Sequence, residues 1–178
     1  MSLWSRFRKD RRGASAVEFA LIAPLMLAFY FGLTELCQAM LAERRVSHVA
    51  SAVGDLVTQT DKLSASEVAD IFAIGKTVLT PFPNVGLQMR ATSVTANAQG
   101  KPMVDWSRGY GGWAPMTKNM APESTIPITM DPQTSLVVSE AQYKFTSPFG
   151  YFLPNGIQFV EKSYLRPRRS AKVDCSDC

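Results

Sequence analysis

The chain of 178 residues is short of histidine, cysteine and charge. Its single histidine, His48, excludes multi-histidine metal centres and most catalysis that depends on an imidazole base. Three cysteines, Cys37, Cys175 and Cys178, are too few for the disulfide framework that holds small secreted domains together. Charged residues make up 19%, below the roughly 25% of an average soluble domain. No glycine-rich phosphate loop with a lysine, no Gly-x-Ser-x-Gly and no His-Glu-x-x-His occurs. Glu123, Asp131 and Glu140 have no spacing that pairs them, and the adjacent Ser47 and His48 would point apart on a helix. These absences predict a protein that is not an enzyme, with no catalytic residues, no metal and no cofactor.

Hydrophobic residues at 46% and aromatics at 10% are enough for a packed core, which excludes wholesale disorder. The net charge of +4 is not spread over the chain. Residues 1–13 hold Arg6, Arg8, Lys9, Arg11 and Arg12 against Asp10, which accounts for all of it; the other 14 Lys and Arg balance 14 Asp and Glu. The basicity is a leader, and no nucleic-acid partner is expected. From Phe19 to Thr34 the sequence is uncharged. With Ala14–Val17, and Glu18 tolerated, it gives about 20 residues, enough at ~1.5 Å each to cross a hydrocarbon layer of ~30 Å. Basic residues on one flank predict a cytoplasmic N-terminus, with Glu35 onward across the membrane.

Ordinary export signals fit poorly. A secretory signal needs a small-x-small site after the apolar run, but the exit reads Gly32-Leu33-Thr34-Glu35-Leu36-Cys37. Leu36 before Cys37 also argues against a lipoprotein signal. A plain signal anchor leaves Glu18 unexplained, because a carboxylate inside an apolar segment is costly in lipid and marks a functional site by default.

Arg11-Arg12-Gly13, a glutamate five residues past the glycine, and then an apolar helix resemble the class III signal of type IV pilin-like proteins. The longer stretch from Arg12-Gly13-Ala14-Ser15-Ala16-Val17-Glu18-Phe19-Ala20 through Ala23-Pro24-Leu25 to Gly32-Leu33-Thr34-Glu35 is similar to the TadE-like family. These are minor pilin-like components of the Tad machinery that builds Flp pili. Arg166-Pro167-Arg168 resembles the Arg-Pro-Arg endings common in the family. The resemblance implies cleavage by prepilin peptidase between Gly13 and Ala14. The implied partners are that peptidase, other pilin-like subunits, the Tad secretion machinery and the lipid bilayer. It places the protein in the inner (cytoplasmic) membrane as a single-pass protein with a periplasmic C-terminal part, acting in pilus biogenesis and surface adherence. Trimming would remove the whole +4 and create an α-amino group one turn from Glu18. In a pilin-like bundle that carboxylate would meet the amino terminus of a neighbouring subunit and specify register; the other reading keeps Glu18 at headgroup level, touching water.

Past the membrane, Met40, Val46, Val49, Ala50, Val53, Leu56 and Val57 recur at helical spacing, which predicts one helix from about Ala14 to Thr58. Ser64 and Glu67 have capping-box spacing before a second helix stopped by Pro81 and Pro83. Leu87–Ala96, Met103–Trp106, Leu136–Thr146 and Gln158–Leu165 read as strands, with a long loop over Arg108–Pro122. The predicted class is α+β: a long N-terminal transmembrane and amphipathic helix, a short second helix, then an antiparallel sheet of about four strands. The segments are a basic leader at 1–13, a transmembrane helix at 14–35, amphipathic helices at 36–80, a β-rich part at 81–170 and a tail at 171–178.

Three features remain open. Trp106, Tyr110 and Trp113 either fold a loop onto its own sheet or form a ligand patch, which would make the chain a signal-anchored periplasmic binding module. Pro148–Pro154 is a contact surface or a hydrophobic loop cover. Cys175 and Cys178 form a local disulfide or stay free or intermolecular, since two thiols alone do not complete a zinc site. Cys37 is expected to act as a small apolar residue, and the basic residues Arg166, Arg168, Arg169 and Lys172 to form a solvated tail.

Overall fold

The computed structural model describes residues 13–122 and 130–178. Of the predicted leader only Gly13 falls among them, and Glu123 lies outside them. Helix α1, Ala14–Thr58, runs 45 residues with Pro24 inside it. Its character changes halfway. Phe19, Leu21, Leu25 and Phe29 are each at least 70% exposed, whereas a buried stripe begins at Glu35 and continues through Ala39, Ala42, Val46, Val49, Val53 and Val57. Spacings of three and four keep that stripe on one face. It is set by Ala39 and Ala42 rather than by Met40, which is exposed.

Helix α2, Ala65–Val78, starts where the capping box predicts. The Glu67 N–H donates to Ser64 Oγ at 3.3 Å, and the Ser64 N–H donates to the Glu67 carboxylate at 2.8 Å. Both are orphan donors of a first helical turn. Val68, Ile71 and Phe72 of α2 then bury against the inner core.

Four strands form an antiparallel sheet: β2 (Gln88–Ala96), β3 (Pro102–Tyr110), β4 (Ser135–Phe145) and β5 (Ile157–Leu165), in the order β3-β2-β4-β5. One face, with Met89, Ala91, Val137, Ala141 and Tyr143, joins the α1 stripe and α2 in the main core. Alternation sends Arg90, Val94, Val138 and Glu140 to the other face. There Val94, Leu136, Val138 and Met130 make a smaller cluster. Helix α1 approaches the sheet tightly at Gly54, where a Cβ would sit 2.7 Å from Leu165 Cδ1 and 3.1 Å from Ser139 Cβ.

Two expectations need correction. Strand β3 continues to Tyr110, so the loop starts at Gly111 rather than Arg108. Pairing of Met89 with Tyr110 and Arg90 with Gly109 overrides the loop-like composition. The chain reverses at Gly111 (φ +72°) and Gly112 (φ +90°), and the Trp113 carbonyl then occupies the space of a Cβ at position 109. Only glycine fits there. The basic side chains of Arg166, Arg168, Arg169 and Lys172 are exposed as expected, but the backbone that carries them is not a loose tail. Strand β6 (Asp174–Cys175) pairs in parallel with β1 (Lys62–Leu63), and Val173 is buried in the core. Arg168 donates its N–H to the Thr58 carbonyl at 3.1 Å and ion-pairs with Asp55, so the Arg-Pro-Arg segment fastens the end of α1.

Candidate functional site

At its N-terminal end the described chain begins at Gly13, which holds the N-cap position of α1 with φ −82°. Ala14 is the first helical residue, so the predicted cleavage bond lies at the entry to the helix. Small residues follow at Ser15 and Ala16, and Glu18 comes one turn after Ala14, exposed on the helix surface. Helix α1 is long and apolar enough near the N-terminus to cross a membrane, by length and composition, and its apolar stretch is unburied.

A second carboxylate organises the other end of this exposed segment. Glu35 is fully buried. Its Oε1 accepts the Tyr151 N–H at 2.9 Å, and its Oε2 accepts the Phe152 and Leu153 N–H groups at 3.1 and 3.0 Å. Three consecutive amides thus surround one charge, an arrangement that holds a loop tightly because charge-assisted bonds are stronger than neutral ones. The Phe152 ring lies 3.3 Å from where a Cβ on Gly32 would stand, and Phe149 meets Phe31 at 5.2 Å between ring centroids. Phe152 and Leu153 wall an apolar groove of about 520 Å³ with Leu25, Ala28, Phe29 and Leu36. Of the two readings of Pro148–Pro154, the geometry is that of a segment docked on α1.

Sequence reasoning passed over Glu35. A signal was present: counting back from Val46, Ala42 and Ala39 at steps of four and three lands on position 35. A charged residue in phase with a buried stripe needs a partner, and here that partner is 116 to 118 residues away.

The aromatic trio is engaged inside the molecule. Trp106 is buried, and its Nε1–H donates to the Val173 carbonyl at 2.7 Å. Tyr110 packs on Phe72 with Lys76 over its ring. Arg90 lies 4.9 Å over the Trp113 ring. Arg90 also explains Glu140, which the sequence left unpaired. Its Nε donates to Glu140 Oε2 at 2.7 Å, while Lys162 Nζ stands 3.3 Å from Oε1. Arg90 Nη1 reaches the Ala114 carbonyl at 3.2 Å. Trp113 and Ala114, through Arg90, therefore tie the 111–122 segment to the sheet, while Trp106 and Tyr110 tie β3 to Val173 and to α2.

Cys175 and Cys178 are joined by a disulfide, and Cys37 is exposed on α1. Asp177 beside them accepts the Ala65 N–H at 2.8 Å, adding a second acceptor at the start of α2. His48 is exposed, as is Asp131, whose backbone carbonyl accepts the Thr134 hydroxyl. The Ser64 N–H and hydroxyl hold the Glu67 carboxyl below the usual carboxylate range. Burial, reinforced by Glu43 across on α1, pushes that of Glu161 up.

No curated protein and no solved structure matches the chain. Residues 13–55, which contain Gly13, Glu18, the exposed apolar run, Glu35 and most of the buried stripe, match the family described as TadE-like protein.

Proposed function

We propose that this protein is a minor pilin-like subunit of a Tad-type (Flp) pilus, trimmed by prepilin peptidase and working by assembly rather than by catalysis. The family match associates the chain with the Tad pilus system and supports a role in pilus assembly. The observation that carries the finer reading is the order Gly13, Ala14, Glu18 at the head of an exposed apolar helix. Cleavage after Gly13 releases the basic leader and leaves an α-amino group at Ala14. Glu18 then stands one turn away, where it serves the amino terminus of a neighbouring subunit in the bundle. The small residues Ala14, Ser15 and Ala16 favour that close helix approach. Residues beyond Glu35 face the periplasm in this reading, since the leader's positive charge stays in the cytoplasm.

The rival reading, a periplasmic module binding a ligand through Trp106, Tyr110 and Trp113, is not favoured, because each ring has an intramolecular partner. The mass of the membrane-bound protein tests the proposal. A chain beginning at Ala14 supports it, and Gly13→Leu should leave the precursor uncut. An intact N-terminus in a strain with active prepilin peptidase would contradict it.

A further inference from the structure

The loop docked on Glu35 presents large apolar side chains outward. Tyr151 is 77% exposed, Phe152 55% and Phe149 44%. No charged residue occurs between Lys144 and Glu161. Single exposed apolar residues are ordinary, but three within four positions form a patch that needs an occupant.

The depth of the loop follows from its attachment. Ala14–Thr34 spans about 31 Å of helix at ~1.5 Å per residue, which matches a hydrocarbon core of ~30 Å. Gly32 and Glu35 then sit at its outer boundary. Phe152 touches Gly32, Phe149 touches Phe31, and Glu35 binds three successive loop amides. A loop so fastened is carried to the boundary with the helix. Within the span the exposed apolar side chains of α1 point to every side of the helix, Val17, Phe19, Leu21, Ile22, Leu25 and Leu27 among them. Surroundings that reach every side of a helix are lipid, since one protein partner would cover a single face. The loop aromatics extend that same surface sideways.

We propose that Phe149, Tyr151 and Phe152 form an aromatic foot that enters the lipid–water boundary beside the exit of α1. The inference rests on α1 spanning the membrane. Phenyl rings there join the upper acyl region, and the tyrosine hydroxyl stays at headgroup level, as aromatic residues at membrane boundaries do. Glu35, which would otherwise bring a bare carboxylate to this depth, is sealed under the loop and saturated by amides. The foot thus fixes the sheet against the bilayer surface and sets the rotation of α1, instead of leaving the domain standing free on its helix.

Spin labels on the full-length protein, reconstituted in phosphatidylethanolamine–phosphatidylglycerol vesicles, test this. In a Cys37→Ser background, Tyr151→Cys is compared with Leu27→Cys inside the span and Gln99→Cys in the β2–β3 turn at the opposite end of the sheet. Tyr151 is largely exposed, so its replacement disturbs little packing. The oxygen-to-nickel collision ratio at 151 should be several-fold above that at 99 and approach that at 27. A ratio equal to that at 99 overturns the foot alone. Shielding from both reagents also overturns it, since a second protein copy then covers the patch. A water-like ratio at 27 overturns the spanning reading and the foot with it.

Discussion

Removing the Glu140 carboxylate should expose how much the outer face of the sheet depends on one buried acid. The Arg90 and Glu140 side chains are 6% and 1% exposed, and their closest atoms are 2.7 Å apart. In Glu140→Ala the guanidinium stays buried, keeping the Ala114 carbonyl and the Trp113 face but losing the Glu140 carboxylate. Breaking a buried pair by deleting one partner costs about 3–5 kcal/mol. Substituting both, as Arg90→Met with Glu140→Ala, leaves no uncompensated buried charge at this pair, because Lys162 is about one-third exposed and can turn to water. That double variant still loses the bond to Ala114, about 1 kcal/mol, and the stacking on Trp113, roughly 0.5–1 kcal/mol. It should therefore be more stable than Glu140→Ala, with a coupling energy of about 2 kcal/mol, within the range for contacting residues. Urea unfolding of the detergent-solubilised full chain, followed by tryptophan fluorescence, measures this directly. A Glu140→Ala variant within about 0.5 kcal/mol of the parent, the range of a neutral surface change, or strictly additive single effects, would refute the reasoning.

Glu35→Ala should release the loop while leaving the sheet intact. Hydrogen exchange of the Tyr151, Phe152 and Leu153 amides should quicken by about tenfold or more, with β2 and β4 unchanged; unchanged exchange at those three amides would contradict the carboxylate's role. Ser64→Ala should cost about 1 kcal/mol through loss of the cap, read as a lower urea midpoint. Because the folded state lowers the Glu67 carboxyl, its contribution is present above the unfolded carboxylate pKa and is lost as pH falls through the folded value. The parent should therefore lose part of its advantage over Ser64→Ala on acidification below about pH 4, near the ordinary glutamate value; a difference independent of pH would show that Glu67 does not act through Ser64.

Local chemistry made some of this molecule readable and distance hid the rest. The capping box at Ser64 and Glu67 uses atoms three residues apart, so the start of α2 is visible in its own sequence. The four strands announce themselves by alternation, and α1 by its apolar run and its three–four stripe. The end of strand β3 is hidden because Gly109, Gly111 and Gly112 look like loop, although β2 pairs with it as far as Tyr110. The Arg90–Glu140 pair joins residues 50 apart, brought side by side only by the β2–β4 register. Glu35 is the instructive case. Its periodic position was legible, but the three amides it binds come from a loop that no local pattern sends to α1. The same holds for the C-terminal residues, whose charged side chains do face solvent while Val173 and the backbone of Asp174 tie the segment to the core and to Asp61.

The proposed assembly role turns on Glu18, the one carboxylate placed within a turn of the new amino terminus. Replacing it with alanine in the strain that encodes this protein, with the other pilus components in place, tests the role most directly. The account predicts that Glu18→Ala is still cleaved after Gly13 and retained in the membrane at unchanged level. It also predicts that the variant no longer co-purifies with other pilin-like subunits and that surface pili are lost. Normal piliation and normal co-purification at equal protein level would contradict it and leave Glu18 as a residue that merely meets water at the headgroups.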